Sequence, residues 1–591
     1  MGKAAGVGAA TAALLAMGCL ASDPAHPPAG YKPAPPSRPI TEFPSAAALA
    51  AVEAKPAVLP ALESGEVPAE GWTVEPGADA ASAEPWAPRG AFEEALASAY
   101  AATGKKAALT RPMACVAGEL GRFTLAHKGV PPEALRRFIN AVCGVFAPRV
   151  AFQWLSGTVP ANATEERVLA RWRDQLGPDL VDRLPAEAKH AGFWYGRHGG
   201  KVVVVASYEA TPVELKPISV VPDAKGDVVV EGRLLGEAAA FVGFVNQGRF
   251  GVSGCAMDPA VPRPQFRAVC PVAAGDDTAW LQIAYIPQRS VLATPLVQLL
   301  ARHDAAKPLL YAEVPYAPSH PIAEAAAFAP AVLAGLNAVR AEAQLGAVTL
   351  ADAESAAATR VARHYFASAM AADGVDATGD LGTIALGLLA GWQVAGTIRD
   401  GGFFSVVVPH TRDAGRWLDA ALMLPLGRKA LLAHDIEQIA VGPALFDNPD
   451  ALGGVVCGYS FHHGNDHSAD VQALFGRIAA ARQRMGLPPP GRLGGLGPIL
   501  GRQLARVQQE AVAPLDALRF SLQEASSRTG ASVSGYVIEA TSLDVVELPP
   551  QILNKPGLTL EIGITHHKPP GAAWAQLVIV VVYTATHTVE T

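Results

Sequence analysis

The sequence predicts an α+β chain of several domains, in which a unit of paired helices closed by a β-hairpin occurs up to three times and one β-sandwich is inserted. Three observations carry this. At 591 residues the chain exceeds what one hydrophobic core organises. Three segments repeat one order of helical and strand-like patterns, and a fourth holds only strand-length apolar runs. With 17% charged residues but 57 Gly and 49 Pro, the chain can fold yet must also contain loop-rich stretches. The formal charge of −7 comes without a block of Lys and Arg, so no nucleic acid is expected as a partner.

Residues 1–19 read as a lipoprotein-type signal peptide. Lys3 supplies a positive start, Ala9 to Met17 a short apolar run, and Ala16-Met17-Gly18-Cys19 resembles a bacterial lipobox, with Met17 as a departure from its usual small residue. Cys19 is therefore the expected lipidation site, which would attach the protein to a membrane through an N-terminal lipid. Ordinary signal cleavage is the second reading of the same residues, and an uncleaved N-terminus the third. Gly6 stands where a myristoylation motif needs Ser or Thr, which excludes that modification. The apolar run is too short to span a bilayer. Residues 20–90, with Pro33-Ala34-Pro35-Pro36 and Pro85-Trp86-Ala87-Pro88, have a tether's composition.

The first repeated unit, 91–218, opens with helical spacing from Phe92 to Gly104 and from Met113 to His127, and closes with strand-like runs Gly192 to Tyr195 and Lys201 to Val205. Residues 219–320 differ. Val228 to Gly232, Ala240 to Val245, Phe266 to Cys270 and Trp280 to Tyr285 are strand-length runs between turn residues, which predicts a β-sandwich loosely resembling Ig-like modules. The second repeated unit, 321–467, carries helices over Leu336 to Gly346 and Leu350 to Met370 and a hairpin over Gln438 to Gly442 and Val455 to Tyr459. The third, 468–591, carries helices over Ile478 to Pro488 and Leu496 to Gln509 and a hairpin over Leu560 to Ile564 and Leu577 to Val581. Ordinary α+β domains with a coincidental order are the competing account of the outer two.

The six cysteines suit an oxidising compartment. Cys115 with Cys143 and Cys255 with Cys270 are the neighbouring pairs expected to form disulfides. Cys457, in the apolar run Gly454 to Tyr459, reads as a small buried hydrophobe. Since no C-x-x-C occurs, these cysteines are not expected to bind metal.

The middle unit resembles a bacterial CAP domain (the SCP or PR-1-like family). Leu336, Asn337 and Arg340 match its opening helix, Thr349-Leu350-Ala351-Asp352 the entry to its second helix, Arg416-Trp417-Leu418-Asp419 its Trp-bearing helix, and Ile439-Ala440-Val441-Gly442 its later strand. The resemblance covers about Pro321 to Gly486 and implies a CAP-like three-layer α-β-α sandwich, with the outer units as degenerate copies. It also implies what is missing. The family often holds a divalent cation on two His and two Glu, but the corresponding stretches here are Ala371 to Asp376, Leu381 to Ala385 and Gly427-Arg428. A guanidinium stays protonated and has no lone pair to offer a metal. No cofactor is expected.

Among other candidates, His462, His463, Asp466 and His467 have residue types that hold zinc when their side chains converge. The favoured reading is a polar loop capped by Ser468, with these four as weak metal candidates. His566-His567 reads as a solvated hairpin tip, His410 as an entry into a helix, and Glu93-Glu94 and Glu165-Glu166 as solvated helix faces. Gly251-Val252-Ser253-Gly254 does not complete a nucleophile elbow, and Gly491 to Gly497 reads as a linker.

The expected function is noncatalytic binding or scaffolding in the bacterial cell envelope, by an exported protein of the outer membrane or periplasm, with an envelope protein, lipid or small ligand as partner. An apolar cavity near Trp392 and Trp417 would favour a lipid or small ligand. The alternative is a secreted cell-wall or protein hydrolase, built from loops that sequence cannot assemble and signalled by a cleft joining His462, His467 and a carboxylate.

Overall fold

Every long helix and hairpin expected from apolar periodicity is present in the computed structural model, which describes residues 19–20, 65–75, 85–287, 293–369, 377–447, 450–464, 466–530, 532–540, 543, 546, 548–568 and 575–585. The chain is mixed α+β with several small sheets. Most of the residues expected to form a signal peptide and tether lie outside the described set. Of Cys19 and Leu20 only the backbone is described, pairing antiparallel with Phe403 and Gly402.

One strand order occurs three times. A two-residue edge strand runs parallel to the first arm of a hairpin, and the hairpin's second arm pairs antiparallel with a further strand from earlier in the chain. In the first unit the order is Ala108–Leu109, His190–His198, Lys201–Glu209, Ala151–Thr158. In the middle unit it is Thr349–Leu350, Gln438–Asp447, Asp450–Phe461, Ile398–Pro409, and in the third Gly491–Arg492, Leu558–His567, Gln576–Ala585, Ser534–Ala540. The residues Gly491-Arg492, expected as linker, are thus an edge strand, held by register to Thr559 and Leu560.

Strand periodicity of two feeds helices on both sheet faces. In the middle unit Phe404, Val406, Ile439 and Val441 face the helix Phe328–Glu342 and the Trp417-bearing helix Ala414–Met423. Phe403, Ala440, Val455 and Cys457 face the helices Asp352–Ala369 and Ala377–Ala390. The outer sheets divide likewise: Val203 and Val205 against Val202 and Val204, and Ile579 and Val581 against Val578 and Val580, enter different cores.

A cation, fully buried in two of the three units, fixes the chain where it returns to each sheet. Arg340 is fully buried and donates from Nε to Gly346 O and from Nη1 to Leu431 O and Ala433 O. Arg482 does the same in the third unit, from Nε to Pro488 O and from Nη1 to Ile552 O and Leu553 O. In the first unit Lys105 Nζ takes over, donating to Val181 O, Asp182 O and Leu184 O. The carbonyls at a helix end lack intrahelical donors and carry partial negative charge, so a cation is the fitting partner.

Between the first two units, two four-stranded sheets share one core. Val228, Val230, Phe266 and Ala268 of one alternate toward Leu281, Ile283, Val297 and Leu299 of the other. This part of the chain begins earlier than expected, with the strand Val213–Leu215, and includes the strand Thr294–Arg302. It also anchors part of the expected tether. Trp72–Val74 pairs antiparallel with Leu309–Tyr311, Val74 is fully buried, and Trp72 Nε1 donates to Glu119 at 3.3 Å. Apolar side chains embedded in a Pro/Ala-rich stretch had a core to join.

Candidate functional site

Both expected disulfides are present: Cys115–Cys143 with an S–S distance of 2.01 Å and Cys255–Cys270 at 2.09 Å. Cys457 is a buried free thiol, and burial pushes its pKa well up. The first disulfide pins the helix Arg111–Ala126 to the end of the helix Glu133–Val142.

That helix forms one wall of a cleft of about 790 Å³ on the first unit. Thr110 caps the helix by accepting from Met113 N, with Pro112 in the first turn. Along it Gly118 and Gly121 make room for the indole of Trp194, which projects from the hairpin; a Cβ at Gly121 would lie 2.1 Å from the ring. Phe193 and Trp194 line the cleft together with Trp86, and Arg89, Arg111 and Arg122 stand at its exposed rim.

Two of the cleft's three carboxylates are engaged by the protein, and the third, Glu75, is exposed beside Arg122. Glu119, 2% exposed, accepts from Trp72 Nε1 and pairs with Arg122. Glu93 accepts from Arg89 N at 2.6 Å and is 7% exposed, so it is not the solvated surface charge its sequence position suggested; burial raises its pKa. Glu165, likewise expected on a free face, accepts from Phe92 N at 3.2 Å. Aromatic faces beside guanidinium groups suit a ligand with a flat or apolar body and an anionic group. Sequence reasoning missed this cleft, although two glycines three apart inside a helix signal a close neighbour.

The four weak metal candidates do not come together as one set. His463 Nε2 faces Glu437 Oε2 at 2.8 Å, and Asp466 Oδ1 accepts from Ser468 N at 2.9 Å. The carboxylate of Asp466, not Ser468, therefore serves the start of the helix Ser468–Arg484. His462 and His467 instead meet His566, which is 7% exposed within its strand rather than solvated at a hairpin tip. His462 stacks on His566 at 4.7 Å with planes 4° apart, so their ring nitrogens do not converge on a common point. Among the described residues, no group of three or more His, Cys, Asp or Glu is arranged to hold a metal ion.

The positions where the CAP resemblance expects metal ligands serve packing where they are described. Arg428 is 4% exposed and donates from Nε to Leu422 O, from Nη1 to Gly248 O and Gly251 O, and from Nη2 to the Tyr316 hydroxyl at 2.6 Å, tying the middle unit to the preceding β-sheets. Leu381 to Ala385 lie on a helix, and 371–376 fall outside the described residues. Trp417 is fully buried against Phe328 and donates from Nε1 to Val406 O at 3.1 Å, so its surroundings are packed core rather than a cavity wall. His410 has φ 59° and donates its backbone N–H to Asp450 O, closing the turn that leads from the strand Ile398–Pro409 into the helix Ala414–Met423.

Glu354, which no motif singled out, is fully buried near Cys457 and Tyr459. One oxygen accepts from Gln393 N at 2.5 Å, while Oε1 has no hydrogen-bond partner among the described residues. Burial pushes its pKa up to about 7.

No family model matches this chain, and no curated protein does.

Proposed function

We propose that the protein is an exported, noncatalytic binding and scaffolding protein of the bacterial envelope, held to a membrane by a lipid on Cys19, with a degenerate CAP-type architecture. The cleft on the first unit carries the binding part of this reading: its aromatic lining and its three rim guanidiniums, with Glu93 and Glu119 held by the protein, suit recognition of a lipid or small molecule bearing an anionic group. Two disulfides support export, since such bonds persist in oxidising compartments. The strand order common to the three units supports treating the outer two as relatives of the middle one, with the two facing sheets as an Ig-like spacer.

The test is retention of ligands from envelope extract by the full chain, with lipids and proteins both read out, beside Arg89→Glu and Arg111→Glu. A specific lipid or small molecule held by wild type and lost from the rim variants is the expected result. Retention equal in all three removes the cleft; no retention, together with hydrolysis products from the same preparation, replaces binding by a hydrolase. Labelled palmitate should enter wild type and not Cys19→Ala. Incorporation absent from both removes the anchor.

A further inference from the structure

The junction between the middle and third units is built around imidazoles. His462 follows the last strand of the middle unit and donates its backbone N–H to Thr397 O at 2.9 Å. His467 stands at the N-terminus of the third unit's first helix, and His566 lies in its hairpin. A backbone bond from Ala575 N to Ile398 O at 2.9 Å crosses the same seam. The three rings are mutual neighbours: His462 on His566 at 4.7 Å, His467 edge-on to His566 at 5.5 Å, and His462 to His467 at 6.3 Å.

The hydrogen bonds of His467 and His566 form one directional chain when the rings are neutral, while His462 bonds to the Ala575 backbone. His467 Nδ1–H donates to Asp470 Oδ2 at 2.8 Å, which leaves His467 Nε2 as an acceptor. His566 Nδ1–H then donates to that nitrogen at 3.3 Å, and His566 Nε2 accepts from Gln508 Nε2 at 3.3 Å. One added proton is accommodated on His566 if the Gln508 amide turns its oxygen inward. A further proton is not: on His467 it sets two N–H groups against each other, and on His462 it stacks two cations face to face. The buried Nε2 of His462 has no hydrogen-bond partner among the described residues.

We propose that His462, His467 and His566 form an acid-released clasp, closed while the rings are neutral and opened when protonation separates the middle and third units. The charged groups around the clasp are Asp470 on the third unit's first helix and Asp466 before it, both beside His467, and Arg399 on the middle unit's strand beside His462. Arg399 is paired with Asp435 at 2.6 Å, and the neighbouring His463 with Glu437. Asp470, the carboxylate in direct contact with the rings, touches His467 on the side away from the stack. Burial, then His566, Arg399 and His467, lowers the pKa of His462 to about 4; burial and then His467 lower that of His566. Groups with depressed histidine pKa values take up protons on opening, so the closed state is fully stable above the ordinary value of about 6.5 and loses ground as pH falls toward about 4. Each proton taken up raises the opening constant about tenfold per pH unit within that window.

The experiment is hydrogen exchange on the full chain from pH 7 to pH 4, corrected for intrinsic rates, following peptides that span 462–470 and 560–568. His462→Phe keeps a stacked ring and removes one titration. In wild type, protection of these peptides should fall at least tenfold across the range, while the first unit's strand 201–209 holds its protection. His462→Phe should stay protected at pH 7 and show a slope shallower by about one proton. A pH-independent junction in wild type, or equal slopes in wild type and His462→Phe, overturns the clasp. If His462→Phe loses protection already at pH 7, His566→Gln decides by the same slope criterion.

Discussion

Replacing Glu354 by Gln should change the pH dependence of the middle unit more than its stability at any one pH. A carboxyl with pKa near 4.5 in the unfolded chain and about 7 when folded holds a proton that the unfolded chain releases. Stability from this group is therefore greatest below about 4.5, declines as pH rises toward 7, and is flat above it. At 1.36 kcal/mol per pKa unit the span is about 3 kcal/mol. Gln keeps an oxygen for the Gln393 N–H and puts an amide NH2 where Oε1 has no partner, a cost of about 1–3 kcal/mol at every pH. Glu354→Gln should thus be less stable than wild type at pH 4.5 and should regain about 3 kcal/mol relative to it by pH 8. Hydrogen exchange of the strand Asp450–Phe461 reads this locally, avoiding a single unfolding transition for a multidomain chain. A relative stability that changes by less than about 1 kcal/mol between the two pH values refutes the buried, protonated carboxyl.

Arg340→Met should destabilise the middle unit by about 3 kcal/mol or more, because the carbonyls of Gly346, Leu431 and Ala433 lose a charged donor inside the core; Arg340→Lys should recover only part of this in urea titrations. Removing the Cys115–Cys143 bridge as a double Ala variant should cost about 3–4 kcal/mol and removing Cys255–Cys270 about 3 kcal/mol, from the loops each closes, seen as lowered Tm without reductant and no difference from reduced wild type. Gly121→Ala should cost about 1–3 kcal/mol and shift the emission of Trp194, since the added methyl meets the indole; unchanged Tm and emission would show that the ring does not rest on this helix.

What sequence reveals here follows the range of the interactions. Helices such as Arg111–Ala126 and the hairpin Gln438–Phe461 have long apolar periods, so they can be read directly. The fourth strand of each repeated sheet is obscured. Ile398–Pro409 is interrupted by Asp400, Gly401 and Gly402, and Ser534–Ala540 has mixed faces. Edge strands of two residues, such as Gly491–Arg492, show no period and exist through the arm they pair with. The histidine junction was half legible. His462 and His467 are close in sequence, but their partner His566 comes from a strand that only tertiary pairing brings beside them, and Pro569-Pro570 made it look like a turn. The cysteine pairs were legible because their sequence separations are short and their loops local.

The cations beneath the hairpins show how three units of one strand order meet the same backbone requirement with different residues. Each sheet receives its hairpin after a helical or turn segment whose last carbonyls point into the core, and such acceptors require a donor. Arg340 and Arg482 stand at the same distance before their edge strands and solve this through a planar fork that serves several carbonyls at once. In the first unit the requirement persists, but the charge comes from Lys105, nearer the edge strand, as a point donor to Val181, Asp182 and Leu184. A comparison by residue identity registers no arginine there; a comparison by unsatisfied backbone registers the same constraint met from another position. The same distinction applies to Arg428, where a residue unable to bind metal supplies four donor contacts that join the middle unit to the preceding sheets. Arg428 therefore joins the middle unit to the preceding sheets at a position where the CAP resemblance expects a metal ligand, through donor groups that have no lone pair to offer a cation.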